Sequence, residues 1–136
     1  MSATTAASKS YGSVALTRGI RVAVSPMYLP EQSDPASRRF LFAYKIRIAN
    51  EGDIGVRLIS RRWMIVNAHG EREDVEGDGV VGQQPHLRPG QTFEYSSYCP
   101  LNTSWGTMEG SYLMERDDGE FFDATIARFY LVPEGA

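Results

Sequence analysis

Between positions 40 and 48 the chain alternates, with Phe40, Phe42, Tyr44, Ile46 and Ile48 at every second place and Lys45 and Arg47 between the last three. Successive side chains leave a β-strand on opposite faces, so this period of two marks a half-buried strand. Asn50-Glu51-Gly52-Asp53 closes it with turn chemistry. Val56-Arg57-Leu58-Ile59 through Trp63-Met64-Ile65-Val66 then runs back as the second arm of a hairpin. The inward parity of that arm changes between Leu58 and Trp63, as a bulge near Ser60 would cause.

The same period begins at Ile20 and returns along the rest of the chain. Asn67-Ala68-His69-Gly70 supplies the next turn, and the charged run 71–76 reads as a short edge strand whose carboxylates discourage pairing with another chain. Leu87-Arg88-Pro89-Gly90 makes a tight turn into a strand with Phe93 and Tyr95 on one face. Segment 106–115 carries Met108, Gly110, Tyr112 and Met114 on one side. Asp117-Asp118-Gly119 then turns it into Phe121-Phe122 and on to Ile126, Phe129 and Leu131, the last hairpin. Seven short strands without a helix-period segment predict an antiparallel β-sandwich of the immunoglobulin or fibronectin type III kind, a β-barrel being the alternative.

Size and charge narrow the function classes. A chain of 136 residues makes one domain, because two separate cores would each be too small to stabilise themselves. No run approaches the roughly eighteen apolar residues of a membrane span. Residues 1–19 read as a flexible N-terminal tail, small and polar, with too little surface to offset an ordering cost of about 1–2 kcal/mol per residue. The single domain then covers 20–136. The tail holds Lys9 and Arg18 without an acid, so the formal charge of -3 becomes -5 in the body, with 12 basic against 17 acidic groups. Such a body lacks the clustered cations on which general nucleic-acid affinity depends. A lone Cys99 gives neither an internal disulfide nor a multi-thiolate zinc site, and the N-terminus has no apolar signal region, so a reducing compartment is expected.

Gly77-Asp78-Gly79-Val80-Val81-Gly82 has the form G-x-G-x-x-G and lies in the longest irregular stretch, 77–91. The dinucleotide reading needs a helix after the loop and an acid about twenty residues on. Pro85 and Pro89 interrupt any such helix, and Asn102 stands where the acid should be, so that reading fails. Two readings remain for Gly77, Gly79 and Gly82: a nest of amides holding a phosphate, or bends that need positive φ or close strand approach. Glu71, Glu73, Asp74, Glu76 and Asp78 oppose the phosphate, each by roughly 0.6 kcal/mol per unit charge at about 7 Å in water.

Those acids lack the alternating ligands of a calcium loop. With Asp117, Asp118, Glu120 and Asp123 they are expected to be solvated, and no metal site is assigned. His69 belongs to a turn, and His86 is expected to face the glycine loop, neither with a catalytic partner in sequence. No G-x-S-x-G, H-E-x-x-H or paired Cys and His pattern occurs, so no catalytic residue and no cofactor is assigned. Cys99 is expected to be a buried, inert thiol. Arg57, Arg61 and Arg62 beside Trp63 read as surface arginines flanking a buried indole. Trp105, in the turn Thr103-Ser104-Trp105-Gly106, is a candidate for partner contact. Asn102-Thr103-Ser104 has the glycosylation pattern but no secretion signal to go with it.

Five segments in order resemble the bacterial ApaG (CorD) family: Phe42-Ala43-Tyr44-Lys45-Ile46-Arg47-Ile48-Ala49-Asn50-Glu51-Gly52, Leu58-Ile59-Ser60-Arg61-Arg62-Trp63, Gly77-Asp78-Gly79-Val80-Val81-Gly82-Gln83-Gln84-Pro85, Leu87 through Pro89-Gly90, and Gly106-Thr107-Met108-Glu109-Gly110-Ser111-Tyr112. The resemblance runs from about 20 to 131. It departs from the family at Ser104-Trp105 and at Ser97-Tyr98-Cys99-Pro100, both outside the matched motifs. It implies a fibronectin type III-like sandwich, a cytoplasmic location in bacteria, and a genetic link to cobalt resistance and magnesium efflux, with no catalytic residues. Similar domains appended to an F-box protein and to a polymerase-delta-interacting protein imply a protein-interaction module, not an enzyme. The partner is then expected at Gln83, Gln84 and Pro85 beside the loop, and at Trp105. The family's gene neighbours, for RNA dimethylation and diadenosine tetraphosphate hydrolysis, imply the alternative: weak nucleotide or pyrophosphate binding at Gly77, Gly79 and Gly82.

Overall fold

Alternation turns into layers because every inward row must meet another inward row. The computed structural model describes residues 11–133, and its strands are β1 (Ser13–Thr17), β2 (Ile20–Tyr28), β3 (Phe40–Asn50), β4 (Val56–Asn67), β5 (Arg72–Asp78), β6 (His86–Leu87), β7 (Thr92–Leu101), β8 (Gly106–Arg116) and β9 (Phe121–Leu131). They form two antiparallel sheets, one ordered β1-β2-β3-β7 and the other β5-β4-β8-β9, with β6 paired to the start of β4. The inner rows make one core, in which Phe42, Ile46, Ile48, Leu58, Met108, Tyr112, Met114, Ile126, Phe129 and Leu131 are all buried. Each such side chain contributes about 1.5–3 kcal/mol by leaving water. Trp63 lies at the centre of the aromatic part, 5.4 Å from Tyr44, 5.9 Å from Phe129 and 6.5 Å from Tyr112 between ring centroids.

The expected sandwich is therefore the architecture, with nine strands where seven were read. The two additional strands are β1 and β6. Strand β1 lies inside the segment expected to be a loose tail: residues 13–17 pair with 20–24 across the tight turn at Arg18-Gly19, whose φ values of 48° and 85° fit a primed hairpin turn. The rest of that expected tail, residues 1–10, is outside the described residues. Five of the strands run to ten to twelve residues each, the largest extension being β7, read as a short strand at Phe93 and Tyr95 and observed over ten residues. Prolines sit inside β2 and β7 without breaking them. Pro26 lies past the end of the β1 pairing and Pro100 on the outermost strand, positions where no ladder hydrogen bond is lost. The bulge read near Ser60 is present, as a register shift between Leu58 and Ser60 against β8.

One side of the sandwich is joined and the other is not. Along β1 and β9, the Tyr130 amide donates to the Tyr11 carbonyl at 2.9 Å, Ser13 Oγ donates to the Ala127 carbonyl at 2.7 Å, and the Thr125 amide donates to Thr17 Oγ1 at 3.1 Å. On the opposite side, among the described residues, β7 pairs only with β3 and β5 only with β4. Among the described residues no hydrogen bond joins β5 to β7. The sheets part there, and the space between their edges is the site described next.

Candidate functional site

The β4 bulge positions the site. It moves the inward row from Val56 and Leu58 to Arg61, Trp63 and Ile65, so a guanidinium enters the inner face beside the buried indole. Arg61 is thus not the surface residue that its charge suggested. Arg62 keeps the outer parity and pairs with Glu76 at 3.3 Å. The facing rows on the edge strands are Glu73, Val75 and Gly77 of β5 and Tyr95, Ser97 and Cys99 of β7. With Tyr44, all of these except Gly77 line an open cleft of about 510 Å³, rimmed by Tyr98, Pro100 and the turn at Val81-Gly82.

Polar groups converge inside it. Tyr95 Oη and Tyr112 Oη are 2.5 Å apart, a hydrogen bond from one sheet to the other at the inner wall. Burial pushes the Tyr44, Tyr95 and Tyr112 phenols above their ordinary range, and the nearby Arg61 charge opposes the shift in all three. Cys99 is buried at the same wall, and its burial raises the thiol to about 12, so the expected inert thiol is what the geometry gives. Arg61 Nη1 donates to the carbonyls of Asp78 (3.0 Å) and Gly79 (2.8 Å), which fixes the guanidinium plane and leaves Nε and Nη2 without a hydrogen-bond acceptor among the described residues.

The three glycines of the loop have three separate structural reasons. Gly77 leaves room for Arg61, since a Cβ there would lie 2.7 Å from Nη2. Gly79 has φ +60° and a Cβ there would collide with the Gln83 carbonyl. Gly82 follows Val81 in a two-residue turn, with φ of 79° and 43°, closed by reciprocal Val80 and Gln83 hydrogen bonds of 2.8 Å each. The Gly79 amide donates to the Ile59 carbonyl at 2.9 Å. The Gly79, Val80 and Gln83 amides are thus all held by carbonyls of the same chain.

The structure separates the expected partner residues. Gln84 and Pro85 are tied to the start of β4: Gln84 Nε2 donates to the Ile59 carbonyl, and Arg57 Nη1 and the Leu58 amide donate to the carbonyls of Gln84 and Pro85. Trp105, 44% exposed, precedes the Gly106 that pairs with Asn67 at the far end of β4. Eight residues of strand, roughly 26 Å, lie between these ends. His86 does not face the glycine loop, because β6 pairing turns it toward the β8–β9 hairpin, where its Nε2 is 2.9 Å from Asp117 Oδ1. His69 is exposed in its turn. Among the described residues no three His, Cys, Asp or Glu side chains come together as metal ligands. Sequence reasoning missed the cleft. Only the parity change at Leu58 to Trp63 hinted at it, by implying that Arg61 shares the inner face of Trp63.

A profile of the ApaG domain matches residues 30–116. The chain belongs to the ApaG family. Protein ApaG of Anaeromyxobacter dehalogenans is 58% identical over 124 residues, covering 91% of this chain and 98% of that one. Protein ApaG of Rhizobium etli is 51% identical over 121 residues, covering 89% and 93%. The crystal structure of a Bordetella pertussis protein named ApaA superposes with a TM-score of 0.83 at 47% identity, over 85% of this chain and 94% of that one. The C-terminal domain of wzt shares the sandwich alone, at TM-score 0.53 and 9% identity.

Proposed function

We propose that this ApaG chain is a non-enzymatic protein-binding module, and that its partner enters the cleft between β5 and β7. The observation that carries the reading is the asymmetry of the sandwich, joined by hydrogen bonds along β1 and β9 and open along β5 and β7. The open side combines two strand edges left unpaired among the described residues with the exposed Tyr98 and the partly buried Tyr95. Unpaired edges offer main-chain donors and acceptors to an extended segment, and aromatic side chains beside them are the usual anchors of an interface. The cleft, and not Trp105, is then the partner's place.

Capture from cell extract tests the reading when it is made differential. The whole chain, Tyr98→Ala, Trp105→Ala and Tyr130→Ala are compared for the same identified protein. Loss on Tyr98→Ala alone supports the cleft. Loss on Trp105→Ala or Tyr130→Ala with retention by Tyr98→Ala moves the interface elsewhere.

A further inference from the structure

The cleft carries two charges, Arg61 at one end of its floor and the exposed Glu73 at the rim of the other. Arg61 pairs in register with Gly77, and Ile65 pairs with Glu73, so the charges stand four rungs apart on the same face, about 13 Å at roughly 3.3 Å per residue. Neither has an ion-pair partner among the described residues, whereas the outer-face neighbours do: Arg62 with Glu76 at 3.3 Å and Arg72 with Asp74 at 2.8 Å. Asp78, the acid nearest the Arg61 end, takes the outer parity of β5 and gives the guanidinium its backbone carbonyl. Trp63 and Val75, themselves a cross-strand pair, form the apolar floor between the two charges.

Resting on the cleft as the protein-binding site, we propose that the bound segment is an extended chain carrying a carboxylate and a cationic side chain four residues apart. The carboxylate meets the free Nε and Nη2 of Arg61, and the cation meets Glu73. In an extended strand residues i, i+2 and i+4 share a face, and i to i+4 spans the same distance of about 13 Å. The residue midway is apolar and covers Trp63 and Val75. Planar, fork-like recognition is the property that separates Arg from Lys, and Nη1 is already anchored, so the fork is preorganised for a carboxylate. The strand edge that the segment pairs with fixes which charge comes first in its sequence.

A displayed library of random nine-residue peptides, selected on the whole chain, tests this, with fluorescence polarisation of the enriched peptides on the wild type, Glu73→Lys and Tyr98→Ala. Glu73 is exposed and unpaired, so its substitution leaves the fold intact. The expected peptides carry an acid and a base at i and i+4 in one fixed order. Glu73→Lys weakens them about tenfold, an attraction replaced by a repulsion at a rim position, and itself selects peptides with acids at both places. Peptides that lose binding on Tyr98→Ala but carry no such pair, or are indifferent to Glu73→Lys, overturn the charge assignment and leave the cleft standing. Peptides indifferent to Tyr98→Ala, or no enrichment at all, overturn the cleft reading together with it.

Discussion

The guanidinium of Arg61 occupies the space that a side chain on Gly77 would need, with Nη2 2.7 Å and Cζ 2.8 Å from where that Cβ would stand. A residue on one strand thus fixes the choice of glycine on the next. The first glycine of the G-x-G-x-x-G segment makes room for an arginine.

Alanine at the three loop glycines should destabilise in the order Gly79 first, then Gly77 and Gly82. At Gly79 both the positive φ and a collision with the Gln83 backbone oppose a side chain, a cost on the order of 2–3 kcal/mol. At Gly77 only the mobile end of Arg61 must move, at about 1 kcal/mol for its hydrogen bonds to Asp78 and Gly79. At Gly82 nothing lies within 4 Å, so only the positive φ resists, about 1 kcal/mol. Urea unfolding of the three variants checks the order; equal losses would contradict it.

Removing one hydroxyl from the Tyr95 and Tyr112 pair should cost more than removing both. Tyr112→Phe leaves the Tyr95 hydroxyl without its bond from sheet to sheet, roughly 1–2 kcal/mol, whereas the double change to Phe returns part of that loss. A double-mutant cycle by chemical unfolding measures the coupling. Additive effects would show that the 2.5 Å contact contributes nothing.

Stability should fall in alkaline solution. The phenols of Tyr44, Tyr95 and Tyr112 and the thiol of Cys99 are all held above their ordinary values, burial being the largest cause in each, so the folded state keeps protons that the unfolded chain gives up. Their stabilisation is complete below the unfolded values of 9.0 for Cys and 10.0 for Tyr and is lost as pH rises, for Cys99 toward about 12. Each group can add a slope of up to about 1.4 kcal/mol per pH unit in its window. Urea midpoints at pH 8 and pH 10.5 should differ clearly; a flat profile would contradict the burial of these groups.

Cys99 should resist thiol reagents in the native chain at pH 8 and react at once in urea, because the thiol is buried and its pKa is raised to about 12. Absorbance with a disulfide reagent follows both states. Rapid native reaction would place the β7 wall open to solvent.

Much of this fold was legible because its signals are local. Phe40 to Ile48 declared a strand by alternation, Asn50 to Asp53 and Pro89-Gly90 declared turns, and the parity change before Trp63 declared the bulge. Strand β1 was hidden because Ser13, Ala15 and Thr17 are small and leave no apolar row, and because the contacts that hold it to β9, such as the Ser13 bond to Ala127, come from more than a hundred positions away. The cleft was hidden for a related reason. It exists only where two strand edges distant in sequence face each other, and Arg61 reads as a surface charge until the bulge directs it between them. The glycine loop attracted attention as a motif, and its Gly79 and Val80 amides close on carbonyls of its own chain.

Photo-crosslinking in growing cells tests most directly whether the open side is the binding face. A benzophenone amino acid in place of Tyr98, 62% exposed at the cleft rim, or of Tyr130, 40% exposed at the joined side, samples the two flanks of the sandwich. One discrete protein adduct at position 98 and none at 130 is the predicted result. An adduct at 130 with none at 98 would contradict the assignment of the cleft between β5 and β7.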